Sequence, residues 1–296
     1  MWLRMNWKRL AAWTTLLVAV WLLGSFLVAY RITRRPRPIY PEPVPVVVWG
    51  ELQSLRIATA DGEELGAWFS EGQPEKPVVL LLHGHRGSRG NCLAQAEIFA
   101  TAGCGVLLVT LRSHGDSTGC FNDIGYSSRH DVLAAVSWIE KRYEGRRVVI
   151  YGQSMGAAAA TFAAAELGSR VHGYILESPY KNLRTAVWHR ANRALPPGID
   201  LVAYAGLAAV APLVLPDLDR ISPEEAAAGM PSLIPVLVLA GGADRLARPD
   251  ESRAIVDRIG ISARLMIFEG ASHARLQTTD PAAYREALTE MASGGR

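Results

Sequence analysis

Residues 147–160, RVVIYGQSMGAAAA, place one serine between two glycines where an apolar run gives way to alanines. The first half reads as a buried strand, being apolar without a break and rich in β-branched residues. The second half reads as a helix of small residues. Between them, Gly152-Gln153-Ser154-Met155-Gly156 has the G-x-S-x-G form, in which a strand turns so sharply into a helix that only small residues fit on either side of the serine. Such a turn lifts the hydroxyl above the sheet at the positive end of the helix dipole. Ser154 is therefore the candidate nucleophile; the plainer reading is a helix N-cap.

The same pattern occurs at Gly115-Asp116-Ser117-Thr118-Gly119. There Arg112, Ser113 and His114 separate it from the preceding apolar run, and CFNDIG follows with no helical pattern. Ser117 reads as a loop serine.

A serine hydroxyl attacks only when a base takes its proton and a third group orients that base. His273, in FEGASHARL, follows the last apolar run, and Asp244, in VLAGGADRLARP, follows the run before it. The order Ser154, Asp244, His273 is the nucleophile, acid, histidine order of side chains held on loops at the C-terminal ends of parallel strands. Glu177, in LESPY, is the competing acid, and Asp250 is explained as a favourable charge in a first helical turn. An oxyanion needs fixed donors, each worth around 3 kcal/mol in the transition state. The Met155 amide is one candidate. The other is the His85 amide in LLLHGHRGSRG (80–90), whose His83-Gly84-x-x-Gly87 form suits a loop after the third strand. A metal pair at His83 and His85 lacks accompanying carboxylate or cysteine ligands at a suitable spacing.

Eight apolar runs read as strands, near residues 54–59, 65–70, 78–84, 105–111, 147–152, 171–177, 235–241 and 263–270. Helical patterns fall between most of them, at about 91–102, 128–143, 155–168, 250–259 and 281–292. This alternation predicts an α/β fold with an eight-stranded, mostly parallel sheet flanked by helices. With strand count, serine turn, HGxxG loop and residue order aligned, residues 50–293 resemble the α/β-hydrolase superfamily. RSHGDSTG (112–119) and LESPY (176–180) bring the sequence nearest to membrane-anchored α/β-hydrolase-domain serine hydrolases; Ser113 stands where those relatives usually carry glycine. The resemblance implies no metal and no organic cofactor.

The N-terminus has a different composition. Residues 10–30 carry no charge over 21 positions, close to the ~20 needed to span hydrocarbon as a helix. Trp7, Trp13, Trp21 and Tyr30 include interface anchors. A cleaved signal peptide needs small residues before the cut, and only Leu27-Val28-Ala29 offers itself. The reading is an anchor over 1–33, a proline-rich extended spacer over 34–49 (RRPRPIYPEPVPV at 34–46) and a hydrolase domain over 50–296. The short tail bearing Arg4, Lys8 and Arg9 leans toward an extracytoplasmic domain, although four arginines follow the span and pull the other way.

The chain has 296 residues, 49% hydrophobic and 20% charged, enough for a large core. Seven of its 31 Lys and Arg precede residue 41, leaving 24 against 28 acids beyond it. That count gives no support to a basic face for nucleic acid, since the positive charge belongs to one terminal segment. Cys92, Cys104 and Cys120 are too few for a disulfide framework and too scattered for zinc, with any single pairing left open. About residues 182–230 fall where this fold carries its lid. They include LVAYAGLAAVAPLVLP (201–216), which suits either an acyl-binding, bilayer-facing lid or a helix packed on the sheet. Three functions follow: hydrolysis of a lipid-like carboxylic ester, amide or peptide cleavage with the same side chains, and a non-catalytic binding protein on this fold. The oligomeric state is open.

Overall fold

A computed structural model describes residues 7–35, 37–273 and 275–295. In chain order its elements are α1 (Trp7–Ile32), β1 (Gln53–Ala58), β2 (Glu64–Ser70), β3 (Val78–Leu82), α2 (Leu93–Thr101), β4 (Gly105–Val109), α3 (Arg129–Arg142), β5 (Val148–Gln153), α4 (Met155–Leu167), β6 (Gly173–Glu177), α5 (Leu183–Ala194), α6 (Ile199–Val214), α7 (Pro223–Ala227), β7 (Val236–Gly241), α8 (Pro249–Ile259), β8 (Ala263–Phe268), α9 (Leu276–Thr279) and α10 (Pro281–Ser293). All eight expected strands are present, each within a few residues of its expected bounds.

They form one sheet in the order β1-β2-β4-β3-β5-β6-β7-β8, with β2 antiparallel to both neighbours and the rest parallel. Both faces are covered, which is why the strands read as continuous apolar runs. On β3, Val78, Leu80 and Leu82 enter one core, while Val79 and Leu81 enter the other. Each such side chain contributes roughly 1.5–3 kcal/mol by leaving water. The alanines of α4 allow that helix to lie directly on the sheet: Ala157, Ala159, Ala160, Ala163 and Ala164 are all buried.

The described residues after α1 are clamped to the domain. The Arg35 guanidinium donates to the carbonyls of Gly115, Ser117 and Gly119. Glu42 accepts from Thr110 Oγ1 at 2.6 Å and pairs with the fully buried Arg89 at 2.7 Å. Arg89 in turn grips Asp116 through two nitrogens, at 2.5 and 2.8 Å.

α1 has 26 residues with a mean hydropathy of 2.0 over its most apolar window, long and apolar enough to cross a membrane. α6 has α1 and α5 as its main partners, and it leaves Ile199, Leu201, Val202 and Leu213 more than half exposed. Of the two expectations for this segment, packing on the sheet gives way to packing on α1. Cys92, Cys104 and Cys120 are free thiols, the first two buried.

Candidate active site

The turn from β5 into α4 holds Ser154 at φ +51° and ψ −108°, a conformation that L-residues rarely adopt. The flanking glycines are required by space. A Cβ on Gly152 would sit 2.5 Å from the Gly156 backbone, and one on Gly156 would sit 2.4 Å from the Leu82 carbonyl oxygen of β3. The Ser154 amide donates to the Glu177 carbonyl at 2.7 Å, tying the turn to β6. Met155 opens α4, so its amide has no partner within the helix.

His273 follows β8 and Asp244 follows β7, and both point back over the turn. His273 Nε2 lies 3.2 Å from Ser154 Oγ, and His273 Nδ1 lies 2.7 Å from Asp244 Oδ2. Asp244 is almost fully buried, and its Oδ1 accepts from the amides of Leu246 and Ala247 at 2.8 and 3.0 Å. Burial works to raise its pKa. The hydrogen bond from His273, that ring's charge and the two amides outweigh burial and hold the carboxyl below its ordinary value. An ionised Asp244 fixes the proton on Nδ1 and leaves Nε2 free to accept from the serine.

Glu177, the competing acid, is committed elsewhere: its carboxylate accepts from Tyr151 at 2.7 Å, Tyr284 at 2.5 Å and Gln153 at 2.9 Å. It braces β5 and β6 against α10 beneath the site.

The loop after β3 crosses directly over the turn, since a Cβ on Gly84 would lie 3.6 Å from Ser154 Cβ. His83 fixes this loop. Its Nε2 accepts from the Leu111 amide at 3.0 Å, which leaves Nδ1 to donate to the Gly84 carbonyl at 2.7 Å. Burial is the main reason its pKa is pulled down to about 3. His114 supports the next turn by accepting from the Arg86 amide at 3.2 Å, and the His85 ring lies 3.2 Å from the Asn122 side chain. Ser113, in the position usually occupied by glycine, takes φ +62° and donates to the Phe121 carbonyl at 2.6 Å. The local hydrogen bond offsets part of the cost of a left-handed serine.

Two charged residues not singled out from sequence line the cavity beside this loop. It encloses about 240 Å³ and is bordered by Ile32, His85, Arg86, Leu183, Val187 and Arg190, among others. Among the described residues, no carboxylate lines it. Arg190 donates one hydrogen bond, to the Ala186 carbonyl at 2.9 Å, and neither arginine has an ion-pair partner among the described residues.

A model of the family described as "Serine aminopeptidase, S33" matches residues 73–222, half of the chain. The chain belongs to the α/β-hydrolase superfamily. This hydrolase is 32% identical to a lysophosphatidylserine lipase, ABHD12, of Xenopus tropicalis over 149 residues, covering 48% of this chain and 38% of the lipase. It thus spans less than two fifths of the curated lipases it matches. The uncharacterized protein Rv2307c of Mycobacterium tuberculosis is 26% identical over 290 residues, covering 93% of this chain and 94% of the other. Among solved structures, the Pyrococcus furiosus esterase Pf2001 superposes with a TM-score of 0.68 at 21% identity, covering 86% of this chain and 98% of the esterase. At that identity the superposition speaks for the shared fold alone.

Proposed function

We propose that this α/β hydrolase cleaves a carboxylic ester of a lipid-like acyl substrate through an acyl-enzyme intermediate. The observation that carries the reading is the unbroken chain from Ser154 Oγ through His273 to Asp244, at 3.2 and 2.7 Å. In this mechanism His273 Nε2 takes the hydroxyl proton as Ser154 Oγ attacks the ester carbon. The carbonyl oxygen becomes an oxyanion facing the amides of Met155 and His85. On collapse His273 returns the proton to the departing alcohol, and water then releases the acid by the same steps. No metal or organic cofactor takes part.

The lipase among the relatives supports an acyl substrate, and the cavity beside His85 supports an anionic one: Arg86 and Arg190 border it, and none of its described lining residues is a carboxylate. Cleavage of amides or peptides by the same side chains is the second reading, favoured by the aminopeptidase description of the family. Two guanidinium groups suit an α-amino terminus poorly, since like charges repel. α1 serves as the membrane anchor, with the hydrolase domain over 50–296 and the lid over about 182–230. The short basic tail supports an extracytoplasmic domain, against the pull of the four arginines after the span, and a reporter fused after residue 296 tests the side. Purified full-length protein assayed on p-nitrophenyl esters of increasing chain length beside peptide anilides tests the main reading. Ester turnover that rises with chain length and vanishes in Ser154→Ala is expected; anilide turnover exceeding it would move the assignment to a peptidase.

A further inference from the structure

A second, larger cavity of about 630 Å³ adjoins the one beside His85, and the two share Ile32, Val187 and Arg190 as lining residues. Its volume is in the range of small-ligand sites. One wall is α1 itself. Trp21, Gly24, Ser25, Val28 and Ile32 line the cavity. Their spacing of i, i+3, i+4, i+7 and i+11 places them on a single helical face. Val202, Ala203 and Leu207 of α6 form the facing wall. The two helices are held in register. Trp21 Nε1 donates to the Val202 carbonyl at 3.2 Å, and a Cβ on Gly206 would lie 2.1 Å from Ser25 Oγ, so the helices approach at a small-residue contact. A flexible tether would show neither feature.

The lining is polarised. Among the described residues, Arg190 is the one charged side chain lining the larger cavity, and it stands where that cavity meets the one bordered by His85 and Arg86. Away from Arg190 the walls are almost wholly apolar. The occupant that matches is amphiphilic, with its polar end near the arginines and a hydrocarbon chain running outward along α1. Residues of α1 that point elsewhere, such as Leu17, Leu23 and Leu27, are more than half exposed. The groove is thus continuous with the surface that α1 offers to lipid.

We infer that the N-terminal helix is part of the substrate site: the acyl chain of the ester lies between α1 and α6, and reaches Ser154 past Ile32, Val187 and Arg190. The inference rests on the esterase reading above, and its test separates the two. Full-length protein in phospholipid nanodiscs is treated with a fluorophosphonate carrying a sixteen-carbon chain that ends in a diazirine, then irradiated. Attachment at Ser154 with photo-crosslinks within residues 21–32 is expected. Attachment at Ser154 with crosslinks confined to other segments would overturn the acyl site alone, whereas failure to attach would remove the hydrolase reading and the site with it. Neighbouring substitutions sharpen the test. Val28→Trp fills the groove and should lower the kcat/KM ratio of palmitoyl to acetyl ester at least tenfold. Leu27→Trp, on the outward face, should leave that ratio at the wild-type value. Equal ratios in the two variants would contradict the assignment.

Discussion

The chain carries the same five-residue pattern twice, and the two copies do opposite things with their serine. At Gly152–Gly156 the serine stands at φ +51° between the end of β5 and the start of α4, and the side-chain partner of its hydroxyl is His273. At 115–119 the Ser117 hydroxyl is fully buried and saturated: it donates to the Thr110 carbonyl at 2.5 Å and accepts from the Gly66 amide at 2.9 Å. The first hydroxyl is free to react, and the second stitches β2 to the loop after β4. That loop then supports the site indirectly, because the Leu111 and Arg86 amides are held by His83 and His114. A motif of small residues around a serine therefore specifies a tight turn, and the elements on either side decide whether the hydroxyl is offered or consumed.

The largest effect that breaks the comparison is at the two serines themselves. Ser154→Ala should lower ester turnover on the order of 10⁴-fold or more while the protein stays folded. Ser117→Ala should keep turnover within about twofold, and it should lower stability by about 1–3 kcal/mol, because the Gly66 amide and Thr110 carbonyl lose a buried partner. Turnover and thermal melts on both variants check this.

The acids come next. Asp244→Asn leaves the imidazole without its orienting charge and should cost on the order of 10³-fold in kcat. Glu177→Gln should cost much less in rate, since Glu177 bonds to Tyr151, Gln153 and Tyr284 and has no contact with His273. The reverse ranking would move the acid to Glu177.

The closing glycines of the two motifs differ in the same sense. Gly156→Ala drives a Cβ to 2.4 Å from the backbone of β3. Overpacking of this kind should cost about 3 kcal/mol and displace the serine. Gly119→Ala meets its nearest atoms at 3.2 Å and suffers mainly from its φ of +93°, so the cost should be about 1–2 kcal/mol with activity retained. Denaturant midpoints measured beside turnover separate the two.

The smallest effect is on pH. Burial pulls the pKa values of His83 and His85 down to about 3 and lowers that of His114. On unfolding each regains an ordinary value near 6.5, so below that pH the unfolded chain binds protons that the folded chain does not. The stability contributed by these rings is present above pH 6.5 and is lost as pH falls toward about 3. Melting temperature should decline over that window, and His83→Gln should make the decline shallower.

How much of this was legible in the sequence depends on the range of the interactions. The sheet was readable because strands buried on both faces leave unbroken apolar runs, and the order of Ser154, Asp244 and His273 was readable because each follows such a run. Ser113 was readable only as a departure; that its backbone adopts φ +62° belongs to the fold. The clamp on residues 34–49 joins Arg35 to carbonyls eighty or more positions away and Glu42 to Arg89. Nothing local marks those pairs. Nothing in the sequence around Arg190 marks its place, which comes from α1, α5 and the loop after β3 meeting around it.

The central claim is that Ser154 alone carries an activated hydroxyl, and fluorophosphonate labelling of intact protein followed by tryptic mapping tests it most directly. The account predicts a single adduct in the peptide spanning residues 148–170, lost completely in Ser154→Ala and unchanged in Ser117→Ala. An adduct in the peptide spanning residues 113–129, or labelling that survives Ser154→Ala, would contradict it.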